Sequence, residues 1–372
     1  MSVAAIPKRL RAPFPYFGSK YDIAAEVWAR LGDPANYVEP FAGSLAVLLS
    51  RLRPGKVETV NDYDGLVVNF WRAVQAAPED VAVNADDAVH EATLHAWHRK
   101  LVSSAPDLRQ RLFDDPEYFD AKVAGRWAWG ASAWLGSGWC DGTLPQRKPK
   151  MDGDSGRARN GHGVHRTELS ADIKLHQTRP HLSTAGMGVH ASQLPHLSGG
   201  GEAGVGYGRG VHSRAGRQFD GLTAWMLALG ERLRFVRVCC GDFARVLTPA
   251  VTTSHGLTGV FLDPPYDRRR RATRIYSSEE AKSTKHEDTV AQRAARWAIE
   301  NGHNPLLRIA LAGLNGEHDM PPDWFMLSWE TGGGYGNQSA NGRGLKNAAA
   351  ERIWFSPTCI TEQAGAQFLL FE

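Results

Sequence analysis

Ala35-Asn36-Tyr37-Val38-Glu39-Pro40-Phe41-Ala42-Gly43-Ser44 is the stretch on which the architecture turns. An apolar element from Ala35 to Phe41 runs into three small residues and then into a second apolar run, Leu45 to Leu49. That pattern predicts a short strand, a tight turn and the start of a helix. Val57-Glu58-Thr59-Val60 has the β-branched content of a second strand and closes on Asn61-Asp62. Asp64 is placed to cap a helix running through Leu66, Val67, Phe70, Trp71 and Val74. The order β-α-β-α opens a doubly wound sheet.

Further along, the pattern changes. From Pro78 to Asp141 the segments read as helical and rich in Trp, including Trp97, Trp127, Trp129, Trp134 and Trp139. Arg147 to Arg217 shows neither a helical nor a strand period. Regular patterning returns with a helix from Leu222 to Leu233, a strand from Phe235 to Cys239 ahead of Gly241-Asp242, and a short strand Gly259 to Leu262. Glu287 to Glu300 reads as a helix; Leu307 to Ala312, Phe325 to Trp329, Arg352 to Phe355 and Phe368 to Phe371 read as strands. The predicted organisation is one α/β domain split into residues 1–77 and 219–372, interrupted by a lobe over 78–218.

The 372 residues are 42% hydrophobic, ample for a sizeable core. The net charge of +3 neither demands nor excludes a nucleic-acid partner, because the charge is unevenly spread. Arg147 to Arg217 holds 11 Lys+Arg against 5 Asp+Glu, with 7 of the 14 His and 14 of the 39 Gly, and leaves the rest of the chain net acidic. Such a stretch contributes little to a packed core. Cys140, Cys239, Cys240 and Cys359 have no metal-ligand spacing, which argues against a disulfide framework or a zinc ribbon. The histidines form no paired motif that would hold a metal, so none is expected. No run approaches the ~18 apolar residues of a membrane span, and Met1 to Leu10 lacks the apolar core of an export signal, so the expectation is a cytoplasmic protein.

The chemistry is concentrated in Asp263-Pro264-Pro265-Tyr266, directly after an apolar strand. Two prolines stop the strand and hold the preceding carboxylate at the carboxyl edge of the sheet, where open α/β sheets bind ligands. A carboxylate, a backbone carbonyl freed from the ladder and an aromatic ring suit a flat heterocycle carrying an amino group. The turn at Gly43 lets backbone approach a cofactor, and Asp62, at the end of the next strand, can accept from ribose hydroxyls. There is no GxxxxGK[ST], which argues against a P-loop.

Taken in order, Phe14-Pro15-Tyr16-Phe17-Gly18-Ser19-Lys20, Glu39-Pro40-Phe41-Ala42-Gly43-Ser44, Asn61-Asp62 and Asp263-Pro264-Pro265-Tyr266 resemble the motifs of Dam-type DNA adenine-N6 methyltransferases, which include many phage-encoded members. The resemblance implies a Rossmann-like S-adenosylmethionine-dependent methyltransferase sheet with an inserted, mainly helical and loop-rich recognition lobe, acting on double-stranded DNA. It implies that Tyr16, Gly18 and Lys20 lie near the methionine end of S-adenosylmethionine, that Phe41 and Gly43 line the cofactor turn, that Asp62 accepts from the ribose, and that Asp242 lies near the cofactor adenine. Asp263, Pro264, Pro265 and Tyr266 would hold a flipped adenine. Leu45 departs from the family, which commonly has a second glycine there. N4-cytosine methylation is an alternative, although SPPY is its usual variant; an inactive DNA-binding relative is another.

Arg268, Arg269, Arg270 and Arg271, followed by Arg274, adjoin the proposed base pocket and are expected to contact phosphates rather than form a merely solvated loop. Arg343 and Lys346 sit in a glycine-rich loop able to close over DNA. The basic segment has two readings, a recognition loop that orders on DNA or a flexible linker. The Trp-rich stretch reads first as helix packing, with Gly136 to Trp139 a loop at the DNA by its position in the family pattern.

Overall fold

The computed structural model describes residues 10–16, 18–134, 139–140, 211, 221–266, 288–328 and 351–361. Among them, seven strands form one sheet: β1 (Asn36–Glu39), β2 (Val57–Asp62), β3 (Val236–Cys240), β4 (Thr258–Leu262), β5 (Leu307–Leu314), β6 (Phe325–Ser328) and β7 (Glu351–Phe355), in the order β3-β2-β1-β4-β5-β7-β6. This is the Rossmann-like methyltransferase sheet expected from the sequence. β1 to β5 are parallel, and β7 runs antiparallel between β5 and β6. The last expected strand, Phe368 to Phe371, lies outside the described residues.

β1 is shorter than the apolar run that predicted it, because Pro40 has no N–H to donate to the ladder. On one side β1 pairs with β2 from Asn36↔Val57, and on the other with β4 from Asn36↔Thr258. The winding direction therefore reverses between β1 and β4. Such a reversal leaves a crevice beyond the carboxyl ends of the two strands. The start of β1 is pinned by the buried Asn36 amide, which donates to Val251 O at 2.8 Å and Thr258 Oγ1 at 3.0 Å.

The strands alternate between two cores, as the two-residue period of a pleated strand requires. Tyr37, Phe261, Ala310, Ile353 and Phe355 face the larger core. Val38, Val260, Leu262, Ile309, Leu311 and Trp354 face the smaller one. The larger core is covered by α1 (Ala24–Leu31), α2 (Ala46–Ser50), α3 (Gly65–Ala76) and further helices: α4 (Pro78–Ala85), α5 (Glu91–Asp114), α6 (Ala121–Ala133) and α7 (Leu222–Leu233). The smaller core is closed by α8 (Val290–Asn301) through Ala294, Ala295 and Ala298. Thr289 starts α8 with a capping box to Gln292, which places its first residue slightly later than the sequence pattern suggested.

α4, α5 and α6 belong to the segment read as an inserted lobe, yet they share the larger core with α3 and α7 through Val81, Leu101, Leu108 and Trp127. Gly125 is required at the α4–α6 contact, because a Cβ there would meet Val81 O at 2.7 Å. Trp129, Trp134 and Leu94 form a separate small cluster against Trp97 and Trp139, so these tryptophans pack on one another as helix packing predicted. The basic segment lies outside the described residues, apart from Val211. Among the described residues no helix is long and apolar enough to cross a membrane, and no three His, Cys, Asp or Glu side chains are grouped to hold a metal.

Candidate active site

The carboxyl ends of β1, β2, β3 and β4 open onto one cavity of about 260 Å³, close to the ~300 Å³ lower end of small-molecule sites. Its wall includes Tyr16, Gly18, Lys20, Phe41, Gly43, Asp62, Asp242, Asp263 and Pro265. Residues that stand up to 249 positions apart in the chain thus meet at the strand-order reversal.

The β1 side is built from backbone. After β1, Ala42 N donates to Asn61 O at 2.8 Å, and Gly241 N donates to Asp62 O at 2.9 Å. The Asn61 amide joins the ends of β1 and β3 by donating to Pro40 O and Gly241 O. Asp62 accepts from Gly43 N through Oδ2 and from Asp64 N through Oδ1, both at 2.9 Å. Burial pushes the Asp62 carboxyl up to about 6 in spite of those donors. Gly43 has φ +44°, and a Cβ there would lie 2.6 Å from Tyr16 Cε1. The turn therefore depends on glycine for both conformation and space.

Leu45 explains the departure noted in the sequence. Its φ of 52° and ψ of 30° are left-handed, the conformation that favours glycine. Here a leucine accepts it because its side chain is fully buried in the larger core. Position 45 therefore shapes the turn without narrowing the cavity, whose wall does not include it.

The β4 side is built from charged side chains. Lys20, only 4% exposed, donates to Gly18 O at 2.7 Å and to Asp263 Oδ2 at 2.9 Å. Tyr266 Oη donates to Asp263 Oδ1 at 3.4 Å, and the Lys20 ammonium lies 5.3 Å from the centre of the Tyr266 ring. Burial raises the Asp263 carboxyl above its usual range, while Lys20 and Tyr266 pull it back. Pro264 is buried, and the ladder between β4 and β5 ends at Leu262, which leaves the Pro264 carbonyl outside it. Pro264 and Tyr266 do not form part of the cavity wall, although each adjoins a residue that does.

Asp242 differs from expectation in its company. It caps the short 3-10 helix Phe243–Val246 through Ala244 N and makes a two-pronged pair with Arg293 of α8, at 2.9 and 3.0 Å. Burial raises its carboxyl, but the Arg293 hydrogen bonds, the Ala244 N–H and the Arg293 charge together hold it below its usual value. Phe243 packs on Phe41 at 5.1 Å, with the Arg293 guanidinium 4.8 Å from its ring centre. Arg268, Arg269, Arg270, Arg271, Arg343 and Lys346 lie outside the described residues.

Three wall or rim residues had no assigned role in the sequence. Glu39 accepts from Tyr37 Oη at 2.9 Å and from Leu48 N at 3.2 Å, and burial pushes its carboxyl up to about 8. Arg293 is contributed by a helix whose sequence gave no sign of the site. Glu351, at the first residue of β7, has an oxygen 3.8 Å from the Lys20 ammonium. Glu39 stood inside a quoted motif and was within reach of sequence reasoning; the other two were visible only once the sheet was assembled.

Residues 16–109 match the model of the family described as D12 class N6 adenine-specific DNA methyltransferase. This part of the chain is similar to that family. The matched stretch carries Tyr16, Gly18, Lys20, Phe41, Gly43 and Asp62, the backbone-built side of the cavity and its lysine. In this methyltransferase the Asp263-to-Tyr266 tetrapeptide stands outside the matched residues but on the same cavity edge. The enzyme's class is adenine-specific, which answers the choice between adenine-N6 and cytosine-N4 left by the sequence. No curated protein matches the chain.

Proposed function

We propose that the cavity holds S-adenosylmethionine on its β1 side and a flipped adenine of double-stranded DNA on its β4 side. The observation that carries this reading is the convergence of Gly43, Asp62 and Asp263 from three strand ends on one cavity. The residues suit the cofactor. The Gly43 turn forms a cradle that a Cβ would fill, Asp62 offers carboxylate oxygens for ribose hydroxyls, and Phe41 with Phe243 gives an apolar wall for a planar ring. Bound there, S-adenosylmethionine supplies a methyl group on a sulfonium that is already a good leaving group.

The protein's work is then mainly alignment. Adenine N6 is hidden in the duplex stack, so the base must leave it. Asp263 and the Pro264 carbonyl accept the two N6 hydrogens and aim the nitrogen lone pair toward the cofactor side, while Tyr266 stacks on the ring. Pro265 keeps the tetrapeptide rigid. After transfer N6 carries an extra proton, and the Asp263 carboxylate is the adjacent acceptor. Asp242, already bound to Arg293, presents its remaining acceptor capacity to the cofactor adenine. Arg268, Arg269, Arg270, Arg271, Arg343 and Lys346 contact phosphates around the base, and recognition of the flanking sequence falls to residues 78–218.

Incubation with DNA and S-adenosylmethionine labelled in its methyl group, followed by digestion to nucleosides, tests the reading. Label in N6-methyladenine is the expected result. Label in a cytosine, or none on DNA of varied sequence, would overturn it.

A further inference from the structure

β7 is antiparallel, so its first residue, not its last, arrives at the edge where the parallel strands end. That residue is Glu351, paired in register with Leu314 at the end of β5. Its side chain is 13% exposed and the Lys20 ammonium is the cation beside it, at 3.8 Å. The same ammonium is 2.9 Å from Asp263. One buried cation is therefore held between two carboxylates. In that state Lys20 occupies the Asp263 oxygen that an adenine amine would need. A movement of about 1 Å toward Glu351 would bring the ammonium to ordinary ion-pair distance there and leave Asp263 free to accept from a new donor.

We propose that Glu351 is a positioning residue for methyl transfer: it takes over the Lys20 ammonium when the target amine binds Asp263. This rests on the reading of Asp263 as the base-holding carboxylate. Without Glu351, releasing Asp263 would strand a buried ammonium, which is costly. With it, the cation passes between carboxylates and stays paired throughout. The other charged or titratable groups around Asp263 are otherwise engaged: Tyr266 carries no negative charge to receive the cation, Glu39 Oε2 already accepts from Tyr37 and Leu48, and Glu317 Oε2 accepts from Leu314 N. Burial holds the Glu351 carboxyl above its usual range, against the pull of Lys20, consistent with a site that gains from drawing the cation closer.

The test compares Glu351→Gln and Glu351→Asp with the unaltered full-length protein, after thermal unfolding has shown that each variant folds. The expected result is that Glu351→Gln lowers kcat about tenfold while equilibrium binding of S-adenosylmethionine changes less than twofold, and that Glu351→Asp recovers most of the lost kcat. A Glu351→Gln protein with unchanged kcat, or one that loses cofactor binding in parallel, overturns the proposal, as does a Glu351→Asp protein no better than the Gln variant. Asp263→Ala, run alongside, separates the two ideas: if it stays active the base-pocket reading itself fails, whereas an inactive Asp263→Ala with a fully active Glu351→Gln removes only the role of Glu351.

Discussion

Asp62 and Asp263 are both half-buried carboxylates at strand ends on one cavity, and they are held in opposite ways. Asp62 is fixed by two backbone N–H groups, one from the Gly43 turn it supports and one from Asp64 in its own loop. Asp263 is held by the ends of two long side chains, Lys20 and Tyr266. Backbone donors cannot leave without unfolding the turn, whereas a lysine can change partner. Under the proposed function, the contrast makes the cofactor side preorganised and the base side exchangeable, as suits a site that keeps one ligand shape but must admit and release a base from DNA.

Removing the exchangeable carboxylate is the severest way to test the contrast. Asp263→Ala is expected to lower methyl transfer by about a hundredfold or more, with S-adenosylmethionine binding retained at least in part; radiolabel incorporation and equilibrium titration check both. Loss of both together would erase the distinction between the two sides. On the preorganised side, Gly43→Ala adds a methyl group against Tyr16 at a positive φ. The expected cost is about 1–2 kcal/mol of strain, seen as roughly tenfold weaker cofactor binding with less change in kcat once cofactor is saturating.

A subtler effect concerns Glu39, which binds backbone like Asp62 but is nearer neutral. Its folded value of about 8 lies above the usual 4.5, so the folded state binds more protons than the unfolded one between those values. Its contribution to stability is thus fully present below about pH 4.5 and is lost as pH rises toward 8. Glu39→Gln keeps an acceptor for Tyr37 and Leu48 and removes the titration. Denaturant unfolding at pH 5 and pH 8 should show a smaller fall in stability for the variant than for the unaltered protein; an equal fall would place the titration elsewhere. The smallest effect on the site is expected from Leu45→Gly. It relieves about 1–2 kcal/mol of left-handed strain but forfeits a buried leucine worth about 3 kcal/mol or more, so the protein should lose stability by about 2 kcal/mol while cofactor affinity stays near that of the unaltered chain.

Much of this was legible in the sequence because the relevant signals are local. Pro40 and the Pro264-Pro265 pair end strands by their chemistry, Gly43 marks a turn needing positive φ, and Asp64 caps α3 through Leu66 N as its position suggested. Leu45 was noticed only as a missing glycine; the compensating burial of its side chain depends on neighbours far along the chain. The direction of β7 left no trace in its five residues, two charged and three apolar, since a short strand reads alike both ways. Nor did the helices from 78 to 133 announce that they would complete the core around α3 and α7, because an apolar face says that it will be buried but not against what.

The sequence by itself therefore determined the strand–turn–helix units, their carboxyl-edge motifs and the family they indicate, since each rests on conformational preferences acting over a few residues. The tertiary structure alone decided which carboxylates share a cation. Lys20, Asp263 and Glu351 meet because the strand order reverses between β1 and β4 and because β7 enters antiparallel, and an electrostatic contact depends on distance in space, to which separation along the chain is blind.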